Sequence, residues 1–425
     1  MTATRIQSVR GRRVWDSRGR PAVEAEITVA GGPSGRAIAP AGASVGSGEA
    51  LDRRDADGWD VTGAVAAVNG PIAAELGGMD AADQARLDGA LVALDGTPQR
   101  ARLGGNALIA VSMAAAHAAA AARGMPLWRY LRGGEPAQLP LPEIQIFGGG
   151  AHAGRRVDIQ DFMVIAVGAR DYAQALDWTA RVYRAAGRLM DEAGRLQGVA
   201  DEGGYWPAFD SNAQALDMLV RAIERAGFTP GEEVAISLDV AASELGRGGR
   251  YRLAREGVEL DSDGLCERLL GWLSRYPIVA VEDPLAEDDA AGFARFTRAA
   301  GAGVQVIGDD LLVTDAARVA AAGEQGLCNA ALIKPNQAGT LTETRAALEA
   351  ARAQGMGAVV SARSGESEDV TIVHLAVGWG VRQLKVGSFA RSERMAKWNE
   401  GLRIAEALAA GGGLPAASSF PWGGN

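Results

Sequence analysis

The sequence predicts an α/β protein in which a small α+β domain is followed by a parallel (β/α) barrel. In the second part of the chain, short apolar runs recur, and each ends in polar residues and leads into a helical stretch. These runs follow one another at intervals of roughly 20 to 45 residues, which suits one strand plus one helix each. Repeated units of this kind favour a barrel, with a doubly wound open sheet as the alternative.

The first part of the chain follows a different pattern. Residues 16–32 alternate apolar and polar side chains after a Gly/Pro turn, as a half-buried strand does, whereas residues 33–50 are small and Gly-rich, which predicts a mobile loop. Ala- and Leu-rich helical stretches follow from roughly 62 to 131. We therefore expect an N-terminal α+β capping domain at residues 1–136 and a catalytic barrel domain at 137–425, with a disordered tail from about residue 410.

Composition indicates a soluble globular protein. Of the 425 residues, 48% are hydrophobic and 22% are charged, and the net charge of −9 disfavours nucleic acid as a partner. No apolar run is long enough to span a bilayer and the N-terminus lacks an apolar leader core, so we expect a cytoplasmic protein without a membrane partner. The two cysteines, Cys266 and Cys328, form no disulfide or zinc pattern and are expected to be buried, inert thiols.

Three acidic residues at successive predicted strand ends are candidates for a metal site. Asp239, Glu282 and Asp309 each follow an apolar run. Strand ends of a barrel meet at one face, and three carboxylates cannot converge there without a cation between them. Oxygen ligands of this kind suit Mg²⁺. The alternative is a helix N-cap, which fits the neighbouring Asp310 better than Asp309.

Basic residues end three further strands. Lys334 and Lys385 are expected to face each other across the barrel next to the metal, and mutual repulsion and burial would lower the pKa of each amine. A neutral lysine can then act as a base, whereas the alternative is a surface lysine. Arg363 and Ser364 place a guanidinium beside a hydroxyl, which predicts a clamp for phosphate or carboxylate.

The glycine-rich segment "FGGGAHAGRR" (147–156) does not have the spacing of a dinucleotide fingerprint, and the sequence contains no P-loop. Taken on its own, His152 in this segment is expected to be a mobile-loop residue rather than a metal ligand, because no partner histidine is close in sequence. His117 and His374 lie on apolar helical stretches and are expected in the core.

Taken together, ten blocks of the chain resemble motifs of the enolase family in order and spacing, from about residue 5 to residue 408. They are "DSRGRPAVEAEI", "GASVGSGEALDRRD", "VDIQDFM", "DEGG", "SLDVAASE", "VEDP", "GDDL", "LIKPNQAGTLTET", "RSGESED" and "RSERMAKWNE". The resemblance implies an eight-stranded TIM-like barrel with an irregular start. It also implies two Mg²⁺ ions per site, a small phosphorylated carboxylic acid as substrate, and a homodimer or a larger assembly of dimers.

The resemblance also implies a role for individual residues. Lys334 matches the general base, Glu202 the general acid, and Ser44 the loop serine that reaches the second Mg²⁺. The implied reaction is the reversible dehydration of 2-phosphoglycerate to phosphoenolpyruvate, as in glycolysis. The metal carboxylates match Asp239, Glu282 and Asp309, and the lysine on the substrate carboxylate matches Lys385. The phosphate contacts match Arg363 and Ser364, and the substrate-side loop residues match Gln160 and His152.

Several positions depart from the family pattern. Ala362 stands where the family usually has histidine, Asp161 where it has a catalytic glutamate, and Ala41 and Val45 replace hydroxyl residues of the first loop. These losses open space on the leaving-group side and leave three hypotheses. The first is an ordinary enolase, and the second is a specialised paralogue resembling the carboxyphosphonoenolpyruvate synthases of phosphonate antibiotic biosynthesis. The third is a non-catalytic enolase scaffold.

Overall fold

A three-stranded antiparallel sheet forms the first part of the protein, which a computed structural model describes at residues 3–43, 45–408 and 413–423. Its strands, in spatial order, are β1 (Ile6–Trp15), β2 (Pro21–Val29) and β3 (Ser34–Ile38). The predicted strand within 16–32 is thus β2, the central one. Its apolar positions Val23, Ala25 and Ile27 are fully buried, as the alternating pattern requires.

One long helix covers this sheet. Gly105–Ala122 packs on β2 and β3, and its many alanines allow the close approach. Its length and composition would also suit a membrane span, but 83% of it is buried within the protein, as in a soluble core helix. The helices of this part are α1 (Thr62–Ala67), α2 (Ala73–Leu76, after a π-turn at Val68–Ile72), α3 (Gln84–Asp95), α4 (Gly105–Ala122) and α5 (Leu127–Arg132).

Eight further strands close into a barrel, so the fold is α/β with a TIM-like barrel as expected. The first three barrel strands are β4 (Leu141–Gly148), β5 (Asp161–Ile165) and β6 (Ala235–Asp239). A small antiparallel sheet outside the barrel follows, made of β7 (Gly246–Arg247), β8 (Arg250–Leu253) and β9 (Val258–Asp261). The last five barrel strands are β10 (Ile278–Glu282), β11 (Gln305–Gly308), β12 (Ala330–Ile333), β13 (Gly357–Ser361) and β14 (Gln383–Ser388).

The barrel is not fully parallel, which corrects the simple βα-repeat prediction. Strand β5 pairs antiparallel with both β4 and β6, while the other neighbouring pairs are parallel. The link between β4 and β5, residues 149–160, contains one 3₁₀ turn at Gly150–Ala153 and no α-helix. A parallel connection usually carries an α-helix across the sheet, so this helix-free link suits an antiparallel pair. This is the irregular start that the family resemblance implies.

Helices surround the barrel. Two of them, α6 and α7, lie between β5 and β6, and the others follow individual strands. Several begin with an Asp, Ser or Thr whose side chain accepts a hydrogen bond from the first turn, as at Asp171 and Thr340. The helices are α6 (Tyr172–Glu192), α7 (Asn212–Arg225), α8 (Ser262–Arg275), α9 (Ala290–Ala300), α10 (Ala316–Gln325), α11 (Pro335–Ala338), α12 (Leu341–Ala353), α13 (Thr371–Trp379) and α14 (Ser392–Ala407).

The described part of the C-terminal segment, 413–423, differs from the disordered tail expected from about residue 410. It forms two 3₁₀ turns, Ala417–Ser419 and Pro421–Gly423. Between them, Phe420 is buried in an apolar cluster at the bottom of the barrel, where the parallel strands begin, and stacks on Trp422 with ring centroids 4.7 Å apart. An aromatic side chain that covers the barrel end explains why these residues pack. The positions of the predicted tail at 410–412 and 424–425 lie outside the described residues.

Candidate active site

The top of the barrel, where the parallel strands end, gathers most of the predicted functional residues. Asp239 and Glu282 are the last residues of β6 and β10, and Asp309 and Lys334 directly follow β11 and β12. Lys385 differs from the prediction, because it lies inside β14 rather than at its end. The strand continues past a register shift near Gly387, whose φ of +111° suits glycine.

Two lysines lie among the three predicted metal carboxylates. The Nζ of Lys385 is 2.9 Å from Oδ2 of Asp239 and 2.7 Å from Oε2 of Glu282. The Nζ of Lys334 is 2.5 Å from Oδ2 of Asp309. All five side chains are buried. Asp239 and Glu282 thus share one ammonium group, and Asp309 pairs with the other.

The pKa values of the lysines correct a prediction. Burial would lower the pKa of Lys334, but Asp309 and Glu282 together outweigh it and raise the pKa above its ordinary value. Burial likewise opposes charge on Lys385, yet Asp239 and Glu282 raise its pKa well above the ordinary range. Repulsion between the two amines is present but weaker than these ion pairs. A neutral lysine therefore requires the carboxylates to be neutralised by another cation.

The carboxylates fit such a cation. The Oε1 atom of Glu282 is buried and has no hydrogen-bond partner among the described residues. Burial, followed by the neighbouring Asp239, raises the pKa of Glu282 well above its ordinary value. A buried, unpartnered carboxylate oxygen in an excess of negative charge suits Mg²⁺, which prefers oxygen ligands. Ser44, the implied loop ligand of the second Mg²⁺, lies outside the described residues.

A second acidic group at this face has a different role. The carboxylate oxygens of Asp283, Asp309 and Asp310 lie within 4.8 Å of one another, unlike the more widely spread predicted set. Asp283, however, accepts hydrogen bonds from the backbone N–H groups of Asp309 and Asp310, each at 2.8 Å. Its oxygens are thus used to position the Asp309 loop. Burial and Asp309 raise the pKa of Asp310 to about 8.

His152 is buried and hydrogen-bonded, which differs from the mobile-loop expectation made from the residue alone. Its Nδ1 lies 3.1 Å from Oδ1 of Asp161, and its Nε2 lies 3.2 Å from Oγ of Ser364 and 3.7 Å from Oε1 of Glu202. Burial would lower the pKa of His152, but Glu202 and Asp161 raise it to about 9. Burial opposes charge on Asp161, yet His152 lowers its pKa below the ordinary value.

The phosphate-clamp candidate is joined to the first domain. Arg363 is buried, and its Nη1 donates to Oε2 of Glu49 at 2.9 Å and to Oδ1 of Asn336 at 3.2 Å. The neighbouring Ser364 accepts a hydrogen bond from the N–H of Ala43 at 3.2 Å. The prediction of a mobile loop at 33–50 is therefore wrong in two respects, because residues Ser34–Ile38 form β3 and the loop after it contacts the barrel mouth through Ala43 and Glu49.

The space around Ala362 is small. A pocket of about 20 Å³ is all that remains between the site residues, which is room for roughly one water molecule. The side chain of Gln160 helps to fill it, because its Nε2 donates to Oδ2 of Asp239 at 3.1 Å. The expected emptied space on the leaving-group side is not open here, because the lysines, His152 and Gln160 together line so small a pocket.

Some supporting residues were quoted in sequence motifs without being recognised. Gln337, in "LIKPNQAG", donates from its Nε2 to Oδ1 of Asp309 at 2.9 Å and to Oε1 of Glu49 at 3.2 Å. Gln145, which lies outside every quoted motif, donates to Asp161 and also accepts from the N–H of Gly204 at 2.8 Å. A glutamine adds no charge to a sequence pattern, so only the motif around Gln337 could have drawn attention to one of these two positions.

Arg394, on α14, supports the clamp from behind and is fully buried. Its guanidinium donates to the carbonyl oxygens of Arg363 at 2.7 Å, Ser364 at 2.5 Å and Val386 at 2.8 Å. A planar donor fork suits this task, because it can satisfy several carbonyls at fixed angles. The conformation of the 363–364 segment therefore depends on the last helix of the barrel.

Lysine is otherwise almost missing from this chain. Of 43 lysine and arginine residues, only three are lysines, namely Lys334, Lys385 and Lys397, and all three are buried. Arginine carries the remaining basic positions, including the exposed ones. A guanidinium cannot give up its proton within a protein, whereas an ammonium can. Two of the three lysines thus lie in the candidate site, where an amine could exchange a proton and a guanidinium could not.

Two family models match the chain and together cover nearly all of it. Residues 6–131 match the model described as "Enolase, N-terminal domain", and residues 136–419 match the model described as "Enolase, C-terminal TIM barrel domain". The matched ranges correspond to the α+β part and to the barrel with its C-terminal segment.

Proposed function

This chain belongs to the enolase family, and on that premise we propose that it is a Mg²⁺-dependent lyase that acts on 2-phosphoglycerate or a close analogue. The reaction would remove the α-proton of the acid and form phosphoenolpyruvate. The observation that carries the proposal is the position of Lys334, a buried amine beside Asp309 in a pocket that also contains Glu202 and Lys385. The residues proposed as base, acid and positive charge, namely Lys334, Glu202 and Lys385, thus line one pocket.

The residues support a division of tasks. Lys334 accepts the α-proton once Asp309 is neutralised and no longer holds the amine in its charged form. Lys385 faces the negative charge that develops on the substrate carboxylate, and Arg363 with Ser364 holds the phosphate. Glu202, at the His152 side of the pocket, donates a proton to the departing hydroxide.

Asp239, Glu282 and Asp309 are the residues that would hold Mg²⁺. When bound, Mg²⁺ would supply positive charge, which lowers the free-energy cost of removing a proton from a substrate that is already negatively charged. The protein then has to exclude water and keep the acid and base on opposite sides of the substrate. The packing of the first-domain loop on the barrel, through Glu49 and Arg363, supports such exclusion.

A second candidate function is a related reaction on a phosphonate or a larger phosphorylated acid. It is favoured by Ala362, which offers no side-chain donor, and by Asp161, which is one methylene shorter than the usual glutamate and is held by Gln145 and His152. Such an enzyme would resemble the carboxyphosphonoenolpyruvate synthases. A non-catalytic scaffold is the least favoured alternative, because Lys334 and the carboxylates are all retained.

One assay separates these functions. Purified protein with Mg²⁺ and 2-phosphoglycerate is followed for phosphoenolpyruvate formation and, in D₂O, for exchange of the α-proton. Turnover of about 10 per second or more supports the first proposal. Exchange without efficient turnover supports the second, provided that Lys334→Ala abolishes it. Absence of both would exclude the two enzymatic proposals.

Lys334→Arg gives a sharper version of the same test. The variant keeps the positive charge beside Asp309 but cannot serve as a base, so exchange should be lost as completely as in Lys334→Ala. Arg221→Ala, at an exposed position on α7, is the control and should retain the wild-type rate. Exchange that persists in Lys334→Arg would show that another group removes the proton.

We also propose that the protein is a homodimer located in the cytoplasm, which family membership supports. Two large aromatic side chains of the first domain, Trp15 and Trp59, are 55% and 46% exposed, as a contact surface would leave them. Light scattering on the purified protein measures the mass directly. A mass corresponding to 43.9 kDa at micromolar concentration would exclude the dimer.

A further inference from the structure

A large cleft lies at the opposite end of the barrel from the candidate active site. Its volume is about 1110 Å³, against about 20 Å³ for the active-site pocket. Its floor includes Gln305, Gly357 and Gln383, the first residues of β11, β13 and β14. The C-terminal segment forms one wall with Ser419 and Phe420. The cleft is thus a concave site of the size that small-molecule ligands occupy.

The cleft is basic in a protein whose net charge is −9. Glu135 is its only acidic lining residue among the described residues. Guanidinium groups that cluster on a protein of negative net charge create a local positive potential, which attracts anions to the cleft. The lining arginines are Arg132, Arg298, Arg345, Arg352 and Arg382.

Helix capping explains only part of this arrangement. Arg352 donates to the carbonyl oxygens of Trp379 and Gly380 and thereby caps the end of α13. Arg345, in contrast, lies in the first half of α12, and Arg382 directly precedes β14, so neither is placed in the last turn of a helix. These two arginines need another explanation.

Three of the arginines are weakly paired. Arg298 has no hydrogen bond or ion pair within the described part of the chain. The Nε of Arg345 is 3.5 Å from an exposed Glu349, and Nη1 of Arg382 is 3.4 Å from the carbonyl oxygen of Ser419. All three side chains are exposed, so their donors are available to a ligand.

The donors that line the cleft decide the kind of ligand. Arginine guanidinium groups only donate, so the ligand has to accept hydrogen bonds. The half-buried Met356 adds an apolar surface for an uncharged body.

We propose that this cleft binds an organic polyphosphate, a small anion that carries two or more phosphate groups on an apolar or aromatic body. The phosphates pair with Arg298, Arg345 and Arg382, since guanidinium matches phosphate geometry. The body lies against Met356. A single inorganic phosphate would leave most of the volume and most of the charge unused.

Isothermal titration of the full-length protein in EDTA tests the proposal with ADP, pyrophosphate and adenosine as probes. ADP should bind, adenosine should not, and pyrophosphate should bind at least about tenfold more weakly than ADP because it lacks the body. Absence of binding by ADP at about 1 mM overturns the proposal, and so does equal binding of pyrophosphate and ADP.

Variants locate the binding. Arg345→Ala and Arg382→Ala should each weaken ADP binding by about tenfold, and the exposed Arg221→Ala should change it by less than about twofold. Circular dichroism verifies folding, and Arg298→Ala provides a third, independent change if one of the others does not fold. Competition by 2-phosphoglycerate, with the cleft variants unaffected, would place ADP in the active site and overturn the proposal.

Discussion

The ammonium nitrogen of Lys385 lies 2.7 Å from Oε2 of Glu282, at the centre of the candidate metal carboxylates. The same nitrogen contacts Asp239 at 2.9 Å. In the absence of a metal, the lysine thus supplies the positive charge that these buried carboxylates require. A bound cation would take over this role and free the lysine for the substrate.

Glu282→Gln tests this relationship. Without Mg²⁺, the variant should melt at or above the wild-type temperature, because it removes a buried carboxylate whose pKa is raised well above its ordinary value. Saturating Mg²⁺ should raise the melting temperature of the wild type by several degrees, since a ligand at 100 Kd contributes about 2.7 kcal/mol. Saturating Mg²⁺ should leave the melting temperature of the variant unchanged. Glu259→Gln, at an exposed position, is the control, and an unchanged Mg²⁺ response in Glu282→Gln would remove this residue from the metal site.

The pairing of His152 with Asp161 predicts a titration. The chain has three histidines, so their ring protons can be resolved by NMR. In metal-free protein His152 should titrate with a pKa of about 9, and Asp161→Asn should lower that pKa by at least about one unit, or about 1.4 kcal/mol. His117 is the internal control, with a pKa of about 4 in both proteins. A His152 titration unaffected by Asp161→Asn would show that the two side chains are not coupled.

Restoring the two usual family side chains tests the second candidate function. If the wild type forms phosphoenolpyruvate slowly, Ala362→His combined with Asp161→Glu should increase the rate by at least about tenfold, and by more than either single change. The imidazole and the added methylene both enter buried positions beside a pocket of about 20 Å³, so a loss of at least about 1–3 kcal/mol in stability is expected as well. Thermal unfolding monitors that cost. An unchanged rate in a folded double variant would show that residues 161 and 362 do not determine the rate of phosphoenolpyruvate formation.

His117 predicts a pH dependence of stability. Burial lowers its pKa from 6.5 to about 4, so the unfolded chain binds a proton between these values that the folded chain excludes. Stability should therefore fall as the pH falls from 6.5 to 4, by an upper limit of roughly 3 kcal/mol for this residue. His117→Gln can keep a hydrogen bond to Thr371 and should lose less stability as the pH falls. Urea unfolding at pH 7 and pH 5 gives the difference, and equal losses in both proteins would contradict it.

Phe420 predicts a role for the C-terminal segment in stability. Phe420→Ala should lower the free energy of unfolding by about 3 kcal/mol, because the ring is buried at the bottom of the barrel. Trp422→Ala, at a half-buried position, should cost less. Limited proteolysis provides a second measurement, since the segment should be cleaved faster once its aromatic contact is lost. Equal stability of Phe420→Ala and wild type would mean that the segment does not close the barrel.

The site was predictable where a charge follows an apolar strand. Asp239 and Glu282 sit at such ends, and parallel strands bring these ends to one face. The orientation of Asp161 was not predictable from that rule, because β5 runs antiparallel and its first residue, not its last, reaches the top. Nor could the pattern show that the lysine pKa values rise, since that depends on which carboxylate each amine contacts in three dimensions.

Packing at the C-terminal end was the other feature that the sequence concealed. "GGGLPAASSFPWGGN" has the composition of a flexible tail. One buried aromatic ring, that of Phe420, is enough to fix part of this segment. A single buried residue produces no periodic pattern in the sequence, so it could not be predicted. The roles of Glu49 and Gln337 were hidden for a similar reason, because their partners are far away in the chain.

The dependence of the 363–364 segment on Arg394 has a consequence for biosynthesis. A ribosome delivers the chain from its N-terminus, so the candidate clamp at 363–364 emerges before the helix that holds its carbonyl groups. The proposed substrate site should consequently form only once almost the whole polypeptide has been translated. Premature termination upstream of Arg394 should yield inert fragments rather than partly active ones.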